Sequence, residues 1–547
     1  MTKGIGHGGM LGARGPPSGL GYDQAPTPET ASRRVGAMSP EPMSTSRGTP
    51  TAEIPAPTHG ERDGAPPAAS EGEGRRSMVD RLPKPFVPLV VVLLVGLGLR
   101  LYAMDSYRPS PMTMADSTAY IWNAAGNLFN DAVRPAGYSV FLRGAHAISQ
   151  NLMVTIGLQH LLGLATAVLL YLIARRLGAP RWFALAPAAV VSLSGDQVFL
   201  EHTLLSESTF TFFLCCGVYA AIRILDGTRT LLWAATSGLL IASAATIRTA
   251  ALVLVPLFAI WSLLSLPASW RRRLIVGGAT LVAGALVLGL YAGSQNRAVG
   301  TWDIGRSSGW SLYSRVAPFA DCGQFTPPGG TRFLCETTPA DQRQGPEYYG
   351  WIGGPARARF GDPPNGDATL QRFATSVVLH QPFDYSKVVM KDMVRYFVPT
   401  FGFDRPSNGT GPELFTFDRR APSYEQGIEE VVESYYDPFT LQFSAGGVRA
   451  LASYQELVRV HGILFLELLV LGVAGLFLTS DTRRRGLILL LVTIAALLIV
   501  PAATTVYSAR YASPVEGLAA AAAAIAAAAL VSRLRASQPL EPVPGTK

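Results

Sequence analysis

Glu207, Arg248 and Arg510 each stand at the mouth of a long apolar run, in LSESTFTFFL, ATIRTAALVLV and YSARYASPVEGL. Charge this close to hydrocarbon is costly, so it faces a cavity or a partner. Asp196, Glu201 and His202 in GDQVFLEHTLLSE lie at the same level. Further upstream, Asp116, Tyr120 and Asn123 in MADSTAYIWN fall at i, i+4 and i+7, one face of a helix. A carboxylate can take a proton from a hydroxyl. An Arg guanidinium matches phosphate oxygens with a two-pronged fork. Together they equip a group-transfer site at the depth of lipid headgroups. Each residue also has a plainer reading. Thr113-x-x-Asp116 has capping-box spacing, an acid in a first helical turn is favoured by the macrodipole, and a rim arginine can snorkel.

These residues are positioned by about ten apolar segments, each near the roughly 20 residues that cross a bilayer as a helix. They are expected near 85–104, 152–174, 182–200, 205–223, 231–247, 249–267, 274–294, 460–478, 486–503 and 515–532. The 547 residues are 48% hydrophobic and 15% charged, with a mean hydropathy of +0.25. The formal charge of +8 is no nucleic-acid footprint, because the basic residues cluster beside apolar runs and no RNP-like or helix-turn-helix pattern accompanies them. Such clusters stand at Arg75–Lys84, Arg175–Arg181, Arg223–Arg229, Arg271–Arg273, Arg483–Arg485 and Arg533–Arg535. Every second connection carries one. By the positive-inside rule these connections, and both termini, are cytoplasmic. Arg248 and Arg510 then fall on the outer side, against that rule.

The expected fold is an all-α integral membrane protein with two long extracytoplasmic loops. Residues 1–84 are rich in Pro, Gly, Ser, Thr and Ala and read as a disordered cytoplasmic tail. Residues 85–294 form an N-terminal transmembrane catalytic module whose first external loop, 105–151, carries amphipathic juxtamembrane helices. An extracytoplasmic loop domain follows at 295–459, then C-terminal transmembrane helices at 460–533 and a second tail at 534–547. Within the large loop, DATLQRFATSVVLHQP, DYSKVVMKDMVRYFVP and YEQGIEEVVESYYDP have helical spacing. Its aromatics Tyr313, Tyr348, Tyr349 and Trp351 either stack on sugar faces or anchor the loop. Cys322 and Cys335 flank a PPGG turn and are expected to form a disulfide. Cys215 and Cys216, inside a span, read as small apolar residues.

The order of these parts resembles the C-type glycosyltransferases that use polyprenyl-phosphate sugars, in particular the dolichyl-phosphate-mannose protein mannosyltransferases and the lipid A aminoarabinose transferases. The resemblance is carried by Asp116 and Tyr120, by Arg134-Pro135-Ala136-Gly137-Tyr138 as an RPPGYP-type element, and by Leu205-Ser206-Glu207. It continues with Ile247-Arg248-Thr249 and Arg510-Tyr511-x-x-Pro514. Ala136 and Ser139 replace the family's commoner prolines. The resemblance implies an inverting single displacement on the extracytoplasmic face of the plasma membrane. Asp116 would be the general base, Glu207 a second carboxylate orienting a substrate, and Arg248 and Arg510 the cations on the leaving phosphate. Tyr120, Arg134, Tyr138 and Tyr511 would contact substrate, and Glu201 and His202 are expected to join them from the same rim. The donor would be a polyprenyl-phosphate sugar, hexosyl or pentosyl. The acceptor would be a glycan, lipid or protein hydroxyl, with membrane lipid around it and no nucleic acid. No cofactor is required by any residue cluster, and a divalent metal stays open. Two other classes compete: a transporter or flippase of a lipid-linked or envelope substrate, which would show repeats or broken spans with midplane charges, and a sensor built on the large loop. Convergence of Asp116, Glu207, Arg248 and Arg510 separates the enzyme from both.

Overall fold

A computed structural model of the chain describes residues 86–112, 114–398, 412–417, 428–460 and 462–537. The expected tail 1–84, most of the tail 534–547 and the proposed cap Thr113 lie outside the described residues. Helix α1 (Val87–Ser106) runs into strand β1 (Tyr107–Arg108), which pairs antiparallel with β2 (Gln442–Phe443), Tyr107 opposite Phe443. Helices α2 (Met114–Ala125) and α3 (Gly137–Ile148) occupy the first loop. The bundle continues with α4 (Leu152–Arg176), α5 (Arg181–Leu193), α6 (Gly195–His202), α7 (Glu207–Ile224), α8 (Thr230–Ile247), α9 (Leu254–Ser265) and α10 (Trp270–Val299). The second loop holds α11 (Ser308–Val316), α12 (Pro355–Phe360), α13 (Asp367–His380), α14 (Pro382–Arg395), α15 (Ile428–Glu433) and α16 (Ala445–Leu457). Helices α17 (Gly462–Leu478), α18 (Asp481–Thr504) and α19 (Ser513–Ala536) complete the order.

By length and composition, seven of the described helices can cross a membrane, and nine spans result if each of two bent pairs counts as one. The pairs are α5 with α6, bent by 46°, and α16 with α17, bent by 42°. The count of ten differs at the expected sixth span. There a 3-10 turn at Thr249–Val253 precedes the 12-residue α9. Pro256 is tolerated in a first helical turn and not further in, so the α-helix begins only at Leu254.

The outward faces are apolar, as lipid requires: Val282 is 68% and Leu290 65% exposed on α10. Inside, lipid gives no hydrophobic push between helices, and close packing of small residues takes its place. The alanine run of α19 is buried along most of its length against α5 and α17. A Cβ on Gly475 would stand 2.8 Å from Cβ of Ala526, so α17 and α19 touch nearly backbone to backbone.

Basic clusters gather at one end of the bundle. Arg176 pairs with Asp226 at 3.0 Å, and Arg485 donates to the Ser265 carbonyl at 2.7 Å. The long loops occupy the other end. In the second loop, α11 and α13 pack a separate small core of Trp310, Tyr313, Phe373 and Val377. The Cys322–Cys335 disulfide flanks it, with Cα atoms 5.8 Å apart. Tyr313 and Tyr349 are buried in that core, so neither offers a face to a sugar, whereas Trp351 is 51% exposed.

Candidate active site

Five charged side chains from five parts of the chain meet at the loop end of the bundle. Asp116, in the first turn of α2, accepts from Arg134 Nε at 2.7 Å and from Arg510 Nη2 at 2.5 Å. Arg510 also faces Glu207, Nε to Oε1 at 3.5 Å. Glu207 accepts from Arg248 Nη1 at 2.5 Å. The order is thus Arg134–Asp116–Arg510–Glu207–Arg248, alternating in sign.

Local chemistry places each member. Asp131 accepts from the backbone N–H of Val133 and Arg134 and pairs with the Arg134 guanidinium at 2.9 Å, fixing that turn. Gly137 begins α3 against the end of α8; a Cβ there would meet the Thr246 carbonyl at 2.5 Å, so only glycine lets the two backbones close. That contact ties the Arg134 turn to the Arg248 position two residues on. Arg510 sits in a one-turn 3-10 helix, Ala509–Tyr511, just before α19. The Tyr511 ring lies under both cations, 5.0 Å from the Arg248 guanidinium and 5.8 Å from that of Arg510. Phe415 covers Arg510 at 5.4 Å. Its segment is held by Gln455, which accepts from Phe417 N–H and donates to the Phe415 carbonyl, each at 2.9 Å. Tyr120 donates to Ser206 Oγ at 3.3 Å, one residue before Glu207.

The electrostatics follow from this order. Burial by itself would raise the Asp116 carboxyl; Arg510 and then Arg134 outweigh it and hold it well below the usual carboxylate range. The Tyr120 phenol is pushed up to about 12, first by burial and then by the Asp116 charge. Asp116 keeps 20% of its side chain exposed, Glu207 only 3%. One carboxylate oxygen, Glu207 Oε2, is buried with no hydrogen-bond partner among the described residues. Among them too, no group of three acids, histidines or cysteines is arranged to hold a metal ion.

The other expected site residues are placed elsewhere. Tyr138 is wholly buried; it donates to Gln159 and packs edge-on against Tyr120 at 4.7 Å, so it braces the site without reaching its opening. Glu201 and His202 are buried rather than lining the opening. They end α6, which is bent from α5. There Glu201 grips Arg100 of α1 with both oxygens, at 2.7 Å each, and accepts from His160 of α4 at 3.0 Å. His160 Nε2 lies 3.2 Å from His202 Nδ1, whose other ring nitrogen lies 2.8 Å from the Tyr107 carbonyl. Sequence reasoning passed over Arg100 and His160. The available signal was an ionisable residue inside an apolar run, which always needs a named partner.

No family model matches the chain, and no curated protein matches it. Solved structures do. One is the protein O-mannosyltransferase Pmt1-Pmt2 complex of S. cerevisiae bound to the sugar donor, at 18% identity over 44% of this chain and 37% of that one, TM-score 0.34. Another is the oligosaccharyltransferase AglB of Archaeoglobus fulgidus with an inhibitory peptide and a dolichol-phosphate, at 12% identity over 84% and 52%, TM-score 0.42. A third is ArnT of Cupriavidus metallidurans bound to undecaprenyl phosphate, at 14% identity over 81% and 78%, TM-score 0.28. The chain thus spans about half or less of the length of the first two.

Proposed function

We propose that the protein is a membrane glycosyltransferase that moves a sugar from a polyprenyl-phosphate donor to an acceptor hydroxyl at the extracytoplasmic face of the plasma membrane, with both termini cytoplasmic. The observation that carries this reading is the alternating series from Arg134 to Arg248, which sets three arginines and two acids side by side at the end of the bundle where the long loops lie. Such a grouping has no use as a lipid-facing surface and is well suited to an anion and a proton acceptor.

The residues divide the work as follows. Arg248 and Arg510 take the donor phosphate, and Tyr511 beneath them keeps both guanidinium planes in place. Asp116 accepts the proton of the acceptor hydroxyl as its oxygen bonds to C1 of the sugar. The C1–O bond to phosphate breaks, and its electron pair leaves with the phosphate onto the arginines. Attack in line with departure inverts C1. Glu207 holds Arg248 and directs its unpartnered oxygen at a substrate hydroxyl. In the resting ion pairs Asp116 is ionised but weakly basic. A phosphate that draws Arg510 away removes one of its two cations and makes it a stronger base at the moment one is needed.

A transporter or flippase would need a charged path through the bundle. Arg100 and Glu201, buried within it, are instead locked to each other. The deciding experiment offers the purified protein a polyprenyl-phosphate sugar and a sugar nucleotide separately. Transfer is expected with the lipid donor. Arg510→Lys, which keeps charge but loses the fork, should lower it about tenfold, the size of one charge-assisted hydrogen bond. Turnover with the nucleotide alone would end the proposal.

A further inference from the structure

Asp392 belongs to α14 of the large loop, yet its carboxylate is buried. Three donors converge on it. Arg315 Nη1 reaches Oδ2 at 2.7 Å, Arg395 Nη1 reaches Oδ1 at 3.1 Å, and the Tyr507 backbone N–H donates to Oδ2 at 3.2 Å. Both arginines are buried as well. A buried ion pair adds little net stability, because desolvation offsets the attraction. It does fix a place, and here the place is that of a backbone amide.

The donors come from different parts of the chain. Arg315 stands in α11, whose Trp310 and Tyr313 belong to the small core flanked by the Cys322–Cys335 disulfide. Its second prong, Nη2, donates to the Val388 carbonyl at 3.0 Å, about one helical turn before Asp392. The fork thus spans a turn of α14 and fixes that helix in height and rotation. Tyr507 lies in the connection from α18 to α19. Helix α14 grips this connection at two points: the Tyr385 hydroxyl donates to the Ala503 carbonyl at 2.8 Å, and Asp392 takes the Tyr507 N–H. The Tyr507 ring packs edge-on against Tyr396 at 5.1 Å and lies 5.8 Å from the Arg395 guanidinium. Only Ser508 separates it from the 3-10 turn that carries Arg510, and the Ser508 carbonyl accepts from Tyr511 N–H at 3.0 Å. A position imposed at Tyr507 therefore reaches Arg510 with little slack.

We propose that Asp392 is a positioning residue for the transfer reaction. Through the Tyr507 N–H it sets the place of the Arg510 turn, and Arg315 sets Asp392 from the disulfide-flanked core. The inference rests on the lipid-donor reading above, in which Arg510 takes the phosphate. The large loop then contributes to donor use by holding that arginine in place.

The test measures steady-state transfer from a polyprenyl-phosphate sugar by the full-length protein in nanodiscs. Asp392→Asn keeps the size and an acceptor for the Tyr507 N–H but loses the ion pairs that aim it. It should raise the donor KM about tenfold, as expected for Arg510→Lys, and leave the acceptor KM unchanged. The double variant should be no worse than Arg510→Lys alone, because residues acting through one contact are not additive. A brace remote from Arg510 would instead give an additive loss of about a hundredfold. Thermal unfolding checks that the variants are folded. Should Asp392→Asn fail to fold, Arg315→Lys, which keeps charge and loses the fork, is held to the same two criteria. An unchanged donor KM in the folded variant, or additivity with Arg510→Lys, overturns the inference alone. A wild-type protein that transfers nothing from the lipid donor overturns the lipid-donor reading and this inference with it.

Discussion

Two ion clusters stand at either end of the short stretch from Glu201 to Glu207, and they are finished to different degrees. In the inner one, the Arg100 guanidinium spends its N–H groups on both Glu201 oxygens and on the carbonyls of Gly96, Ser192 and Val191. Gly163 is hollowed for the acid: a Cβ there would stand 1.9 Å from Glu201 Oε1. The outer cluster keeps Asp116 and its cations partly exposed and leaves Glu207 Oε2 unpaired. Both are made of arginine and carboxylate. The inner one is closed and has nothing left to offer a ligand; the outer one is open. Saturation, more than charge or burial, separates a brace from a site.

The comparison breaks most sharply at Asp116. Asp116→Asn should lower transfer by about 10²–10⁴-fold, the usual range for a general base, with thermal unfolding close to wild type. Near-normal turnover in that variant would reduce Asp116 to a helix-start residue. The inner cluster should respond the other way round. Arg100→Ala strands a buried Glu201 carboxylate and should destabilise the folded protein by about 3–5 kcal/mol. Replacing both Arg100 and Glu201 by leucine should recover much of that loss, since a well-packed apolar pair often matches a buried ion pair. Denaturant or thermal unfolding in a fixed detergent reads the difference, and a harmless Arg100→Ala would mean the cluster braces nothing.

The smallest effect sharpens the comparison through pH. The folded-state pKa of Asp116 is depressed, so its ion pairs are fully present above the ordinary carboxylate range and are lost only as pH falls through the lowered value. Wild-type kcat/KM should therefore show no acid limb from Asp116 between about pH 4 and 8. Arg134→Gln removes one of the two cations and should move that limb upward by about 1–3 pH units. A limb that stays in place would assign the depression to Arg510 alone.

The outer cluster was legible because each member breaks a rule that one sequence can state. Glu207 and Arg510 interrupt the hydrocarbon boundary, Arg248 stands on the side where topology disfavours it, and Asp116 shares a face with Tyr120. The inner cluster was not legible at Glu201 and His202. Their burial goes with the bend at Ser194, where Gly195 closes onto Gln455 of a helix far along the chain; a Cβ there would meet Gln455 Cα at 2.5 Å. Local spacing cannot report a contact made at that separation. The spans themselves were legible from hydropathy, save where Pro256 shortens α9.

The position of Arg510 along the chain also has a bearing on biosynthesis. It lies beyond every other member of the outer cluster, just ahead of α19, and its turn is held in place by that helix. During synthesis, Asp116, Arg134, Glu207 and Arg248 enter the membrane long before it. A nascent chain halted before Arg510 carries both acids and two of the three cations but lacks the residue that links Asp116 to Glu207. With Arg510 as a phosphate cation, as proposed, the unfinished polypeptide is expected to use lipid phosphate poorly until the final described helix has inserted.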